Sequence, residues 1–330
     1  MERTECVCRI QNFGFATGQV ISELRLHYTT LGAPHHDAQG HIDNAVLLLH
    51  SSTGNRQQWL AANFVQDLFA PGQPLDAQRF FIIIPDLIGH GQSSKPSDGL
   101  RTQFPAYRCQ DMAAAMHLLV TQGLKIPRLQ LVMRTSLGAM VTWYWGQMYP
   151  QAAARLVPIG AYPLPLAGRN WIIRRMSIEA IRHDPAWQGG DYTEPPQACL
   201  YTAPLLILLA HGVQQLQSIG PTRQSADQYY ERLLQTMRQH DANDLLYVLE
   251  SAQDFDPSPN LEKTSARVLA INFEGDEICR PDISEHDPAL QRLPDAQFVV
   301  VPANQDTSGH FTYFQPAQWV GFLDAFLKRL

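Results

Sequence analysis

Short, dominantly apolar runs alternate along this chain with longer stretches whose apolar positions recur at helical spacing. Ala45 to Leu49 and Phe80 to Ile84 are apolar throughout. The run from Leu129 to Met133, Leu156 to Gly160, Arg267 to Phe273 and Gln297 to Val301 are nearly so. Runs this short, bounded by turn residues, predict strands covered on both faces. Glu5 to Ile10 and Glu23 to Thr30 add two strands near the start, and Leu24-Arg25-Leu26-His27-Tyr28-Thr29 alternates as a half-buried strand should. Helices are predicted near Gln57, over Tyr107 to Gln122 with Met112, Met116, Leu119 and Val120 on one face, from Ser136 to about Tyr149-Pro150, and from Pro316 to Leu330. Strands and helices alternating at this pitch give an α/β fold: a mainly parallel eight-stranded sheet flanked by helices.

The rhythm changes between about Ala161 and Lys263. Helical segments dominate, at Trp171–His183, Tyr201–Ser218, Ser225–Gln239 and Asn243–Ser251, separated by Gly189-Gly190 and Pro195-Pro196. The sheet pattern then resumes. The expectation is a core made of residues 1–160 and 264–330, with residues 161–263 inserted as a helical cap or lid.

Composition narrows the function. A net charge of −6 argues against nucleic acid and acidic membrane surfaces as partners. The longest apolar stretch, Ala203 to Ala210, is too short to span a bilayer. The polar start Met1-Glu2-Arg3-Thr4-Glu5-Cys6 lacks a signal-peptide core, so a cytoplasmic protein is expected. The five cysteines, Cys6, Cys8, Cys109, Cys199 and Cys279, are odd in number and scattered, which predicts neither a disulfide framework nor a metal site. No cofactor is implied. The expected partner is a small-molecule substrate, and apolar cap faces leave room for a homodimer.

The chemistry gathers around Met133-Arg134-Thr135-Ser136-Leu137-Gly138. A strand that breaks at a Ser and turns at once into a helix is the layout of a nucleophile elbow. The usual Gly-x-Ser-x-Gly has Arg134 at its first position here. A cation at this place either distorts the elbow, projects toward the pocket, or holds a substrate carboxylate. The loop His50-Ser51-Ser52-Thr53-Gly54-Asn55 after the third strand is a candidate for half of an oxyanion hole, with Ser52 or Thr53 giving one N–H and Leu137 the other. Asp276 follows the Arg267–Phe273 strand in a Gly-Asp-Glu turn, with Glu274, Glu277 and Asp282 as rivals, and His310 is the only His after the last strand. Ser136, Asp276 and His310 thus sit past the ends of three strands, in the chain order of the α/β-hydrolase triad. A neutral Ser needs an imidazole to take its proton, and the imidazole needs a carboxylate to fix its tautomer. His50, Arg134 and His211 are further candidates to line the substrate pocket; His90 reads as a structural loop residue.

The chain resembles the homoserine O-acetyltransferase-like branch of the α/β-hydrolase superfamily. The resemblance runs nearly end to end: Ser22-Glu23-Leu24-Arg25-Leu26-His27-Tyr28-Thr29-Thr30-Leu31-Gly32, Gly138-Ala139-Met140 with Trp145 and Tyr149-Pro150, the stretch from Ala180 through Asp184-Pro185 to Gly189-Gly190-Asp191-Tyr192, Asp241-Ala242-Asn243-Asp244-Leu245-Leu246-Tyr247, and Ser308-Gly309-His310. It implies an acyl-enzyme on Ser136, with His310 as base and Asp276 as its orienting acid. Homoserine transferases hold the substrate carboxylate with a cap-helix Arg, yet Leu200 to Gly220 contains no Lys or Arg. That favours a serine-dependent hydrolase of a small, largely apolar ester, thioester or lactone. The alternatives are an acyl-CoA-dependent O-acyltransferase and a non-hydrolytic, binding member of the fold. Arg169, Arg174 and Arg175 remain possible sources of a cation elsewhere in the cap.

Overall fold

The structure is a computed structural model that describes residues 2–329. Met1 and Leu330, at the ends of the expected core and closing helix, lie outside the described residues. The eight strands are β1 Arg3–Gly14, β2 Val20–Leu31, β3 Ala45–Leu49, β4 Phe81–Pro85, β5 Leu131–Thr135, β6 Arg155–Ile159, β7 Arg267–Phe273 and β8 Ala296–Val301. They form one sheet in the order β1-β2-β4-β3-β5-β6-β7-β8. From β4 to β8 all neighbours are parallel, whereas β1 pairs antiparallel with β2 and β2 antiparallel with β4. The sheet is therefore mixed, with a long hairpin on one edge.

The apolar runs have the cause read from them. In β3, Ala45, Leu47 and Leu49 join the core on one face of the sheet, and Val46 and Leu48 the core on the other. In β7, Val268 and Ala270 go to the first face, and Leu269, Ile271 and Phe273 to the second. Helices Cys109–Leu118 and Leu137–Met148 cover the first face, and Trp59, Phe64, Leu68 and the helix Val320–Lys328 cover the second. Every side chain of β3, β4 and β5 is thereby removed from water, as is all of β6 and β7 beyond their first residues, which is why no polar alternation shows there.

Between β6 and β7 the described residues contain helices and no strand. Gly168–Arg182, Arg223–Met237 and Ala242–Glu250 lie close to where the periodicity puts them. The single helix expected over Tyr201–Ser218 is instead three: Cys199–Thr202, Pro204–Ala210 and Val213–Ile219, with a bend of 116° before the last. His211 and Gly212 are extended, which ends the middle helix, but Leu205-Leu206-Ile207-Leu208-Leu209 is apolar all round and carries no period from which to read that break. Near Gln57 short irregular turns, Arg56–Leu60 and Val65–Phe69, replace a regular helix. No single helix among the described residues is long and apolar enough to cross a membrane.

Ala242–Glu250 joins the inserted helices to the sheet. Leu246 and Leu249 pack with Ile178 and Ile181 of the insertion, while Tyr247 and Val248 belong to the main core. Asp241 caps this helix by accepting from the Asn243 and Asp244 N–H groups.

The loops after β3 and β4 are fixed by one buried ion pair. The Asp86 carboxylate accepts from Arg56 Nη1 at 2.7 Å, from the Arg56 N–H at 2.7 Å and from the Gln92 N–H at 2.9 Å. Its side chain has no solvent exposure. Removing one partner of such a pair strands the other charge. Arg56→Met is therefore expected to lower the folding free energy by about 3–5 kcal/mol, measured by urea denaturation; a loss below about 1 kcal/mol would contradict this account.

Candidate functional site

Ser136 sits between the end of β5 and the helix Leu137–Met148 with φ 52° and ψ −118°. A non-glycine residue at positive φ is strained and persists only where its surroundings fix it. Here the Ser136 N–H donates to the Ile159 carbonyl of β6 at 2.8 Å, and the helix behind is buried from Leu137 to Gly146. The sharp turn forces close approach: a Cβ on Gly138 would lie 2.7 Å from the His50 carbonyl oxygen and 3.3 Å from Arg134 Cβ.

The other two candidates come from β7 and β8. His310 Nε2 lies 2.9 Å from Ser136 Oγ, and His310 Nδ1 lies 2.6 Å from Asp276 Oδ2. The second Asp276 oxygen, Oδ1, accepts from the Ile278 and Cys279 N–H groups, both at 2.8 Å. Asp276 and His310 are both buried. The rival acids are engaged elsewhere: Glu274 accepts from the Ala303 N–H, Glu277 pairs with Arg169 and Arg280, and Asp282 pairs with Arg280. The structure thus brings together the three residues that chain order singled out. A carboxylate that receives Nδ1–H leaves Nε2 facing the hydroxyl as a proton acceptor.

Ser52 and Thr53 line a cavity of about 440 Å³ together with Ser136 and His310. Leu137 follows Ser136 as the first helical residue, so its N–H has no intrahelical acceptor. Gln58, which the sequence did not single out, ties this loop to the elbow. Its Oε1 accepts from the Ser51 N–H and hydroxyl, both at 3.0 Å, and its Nε2 donates to Thr135 Oγ1 at 2.8 Å. His90 Nε2 lies 2.9 Å from the Ser52 carbonyl oxygen and Nδ1 3.0 Å from that of Ile88, which ties His90 to the loop although it also borders the cavity.

None of the three pocket candidates lines either cavity beside Ser136. His50 is fully buried: its Nε2 accepts from the Leu87 N–H at 3.0 Å, so Nδ1 carries the proton and donates to the Ser51 carbonyl at 2.8 Å. Burial holds it neutral, its pKa well below the ordinary histidine value. It supports the loop and does not face substrate. Arg134 is likewise fully buried, under the elbow helix, with its guanidinium 5.4 Å from the Trp145 ring centroid. It lines neither cavity beside Ser136. His211 is half-buried and also outside both cavities; its Nδ1 lies 3.1 Å from Ser308 Oγ and its Nε2 2.8 Å from the Tyr229 hydroxyl. It ties the insertion to the loop that carries His310.

The cavity has an apolar wall from the insertion, including Leu206, Ile207, Leu245 and Leu249. At a polar margin the Asp244 carboxylate accepts from the Ser97 N–H and hydroxyl and faces Lys95 Nζ at 3.9 Å. A second cavity, of about 490 Å³, also reaches Ser136 and His310 and is walled by Tyr162, Leu164, Leu166 and Phe255. Arg174 lines both.

The sequence model described as the alpha/beta hydrolase fold matches residues 44–317. The chain belongs to the α/β-hydrolase fold family. Among relatives of this α/β-hydrolase, a protein named as a probable acyltransferase from Methanothermobacter thermautotrophicus is 27% identical over 298 residues, covering 88% of each chain. A homoserine O-acetyltransferase from Trichormus variabilis is 28% identical over 325 residues, covering 90% of this chain and 86% of its own. The solved structure of the acetyl esterase MekB superposes with a TM-score of 0.82 at 24% identity, over 98% of this chain and 95% of that one. The α/β-hydrolase described here is accordingly an enzyme of the hydrolase or acyltransferase type, and homoserine O-acetyltransferases are among the proteins it is similar to.

Arg134 remains the departure from the family pattern. None of its three guanidinium nitrogens has a hydrogen-bond partner among the described residues, and burial pushes its pKa well below the ordinary arginine value. A desolvated cation–π contact returns about 2 kcal/mol, less than the several kcal/mol lost on burying an unpaired ion. Arg134→Met, which keeps most of the volume, is expected to raise the folding free energy by about 1–4 kcal/mol in urea denaturation and to leave Ser136 labelling by an active-site probe within about tenfold. A stability loss above about 2 kcal/mol would show that the guanidinium is compensated after all.

Proposed function

We propose that this α/β-hydrolase works by acyl transfer through Ser136, with water as the ordinary acceptor. The observation that carries the reading is the unbroken chain of contacts from Asp276 through His310 to Ser136 Oγ, in the wall of a cavity. In the first step Ser136 Oγ attacks the acyl carbonyl carbon while its proton passes to His310 Nε2. The imidazolium is stabilised by Asp276. The negative charge that forms on the carbonyl oxygen is received by the Leu137 N–H and by the N–H of Ser52 or Thr53, which are fixed in advance by the elbow and by Gln58. Collapse expels the alcohol or thiol, protonated by His310, and leaves an ester on Ser136. Water, deprotonated by His310, then attacks that ester, and Ser136 regains its proton as the acid departs. The substrate class is a small acyl ester, thioester or lactone, seated against the apolar wall of the insertion.

A second reading replaces water by an alcohol acceptor, with an acyl-CoA as donor. It is favoured by the names of the two sequence relatives described above, a probable acyltransferase and a homoserine O-acetyltransferase. Both readings share every catalytic residue. Product analysis with and without an added alcohol separates them: free acid alone supports hydrolysis, and a new ester supports transfer.

The test of the shared step is labelling by a fluorophosphonate, read by intact mass. One adduct on the wild type is expected, absent from Ser136→Ala, with the labelling rate reduced at least about 100-fold in His310→Ala. An unlabelled but folded wild type, or an adduct that survives Ser136→Ala, overturns the proposal.

A further inference from the structure

The helix Gly168–Arg182 carries four arginines. Three are paired with carboxylates: Arg169 with Glu277 at 2.6 Å, Arg175 with Glu179 at 2.5 Å, and Arg182 with Glu250. The fourth, Arg174, is the most buried, 5% exposed, and has no acidic partner among the described residues. Its Nε donates to Asn170 Oδ1 at 2.9 Å, and its Nη1 is buried without any partner among the described residues. Burial pushes its pKa down to about 10, so it remains a cation at neutral pH. An unpaired buried cation is expensive to maintain unless something completes it.

Arg174 also has a particular place. Among the described residues it is the one Lys or Arg that lines both cavities meeting at Ser136 and His310. The helix that supplies it lies outside the segment Leu200 to Gly220, which contains no Lys or Arg. Lys95, in the wall of the first cavity, faces Asp244, and Arg169 and Arg280, in the wall of the second, both pair with Glu277.

We propose that Arg174 is a specificity-determining residue that receives a single carboxylate on the substrate, so that this enzyme prefers acyl esters bearing a carboxylate near the scissile bond. The planar guanidinium offers a fork that matches a carboxylate. One free cation balances a monoanion, whereas a phosphate dianion would be left undercompensated at a site with Asp244 on its far margin. The apolar walls then hold the remainder of the molecule. The inference rests on the acyl-enzyme reading for the word substrate, but the binding it predicts does not depend on turnover.

Two probe pairs test it. Monomethyl succinate and dimethyl succinate place the carboxylate, or its neutral counterpart, on the acyl side; 3-acetoxypropanoate and its methyl ester place it on the alcohol side. Hydrolysis by the wild type, Arg174→Gln and Arg174→Lys is followed by NMR, and binding to the Ser136→Ala protein, with and without Arg174→Gln, by calorimetry. In at least one pair the anion is expected to be preferred, with Arg174→Gln reducing its kcat/KM by about 10- to 100-fold, chiefly through KM, and the neutral partner changing by less than about threefold. Arg174→Lys should recover part of the loss as a point charge. A wild type that favours the neutral ester in both pairs overturns the proposal, as does an equal loss for anion and ester. So does an anion preference in the Ser136→Ala protein that survives Arg174→Gln. If no ester is turned over and no fluorophosphonate adduct forms, the acyl-enzyme reading fails, while Arg174-dependent binding of the anion still decides the role of Arg174. Wild-type preference needs no variant, so a misfolded Arg174→Gln does not remove the test.

Discussion

The turn at Ser136 is the constraint on which the site depends. A serine at φ 52° and ψ −118° is held out of its preferred conformations at about 1–3 kcal/mol. Nothing local repays that. The compensation is spread over β5, which is wholly buried, and over a helix buried along most of its length. The Ser136 N–H, bound to the β6 carbonyl, fixes the direction in which the hydroxyl leaves the sheet. Gly138 lets helix and strand approach closely enough for the turn to be made at all. The Ser136 hydroxyl is therefore positioned by the packing of the whole sheet, and His310 and Asp276 need only be delivered to a place already defined.

Much of this was legible in the sequence. Strands covered on both faces announce themselves as short apolar runs, of which six were recognisable, with two further strands legible near the start. The order Ser136, Asp276, His310 at strand ends placed three residues that the structure joins within hydrogen-bond distance. What was illegible has a common cause. His50 follows an apolar strand into a loop, and sequence does not say whether such a residue turns outward or is swallowed by the core. The break at His211-Gly212 hides in a stretch apolar on every side. The cavity wall is supplied by helices whose rotation is set by tertiary packing, so their pocket-facing residues carry no period of their own. Arg174 was only one of several cap cations until burial and pairing separated it from Arg169 and Arg175.

Arg134 and Arg174 make an instructive pair. Both are buried guanidinium groups without a carboxylate partner. Both bear the same kind of penalty, and their surroundings decide its meaning. Arg134 is enclosed by protein beside an indole face, without a hydrogen-bond partner among the described residues and outside both cavities, so its charge has nowhere to be used. Arg174 borders two cavities that open on Ser136, so the same penalty leaves it ready for a ligand to offset. An unsatisfied polar group in the interior is informative only together with the space beside it.

The contact between the insertion and the His310 loop has a consequence for how this enzyme can change. His211 bonds Ser308, and the backbone at Gly212 packs so tightly on Gly309 that a Cβ on Gly309 would lie 2.6 Å from the Gly212 nitrogen. The inserted helices are thus not a detachable cassette. Transplanting them from a relative to import a new selectivity would also swap the buttress of the His310 loop, so that the position of His310 would shift with preference. Diversification here has to proceed by replacing individual wall residues rather than by exchanging the whole segment.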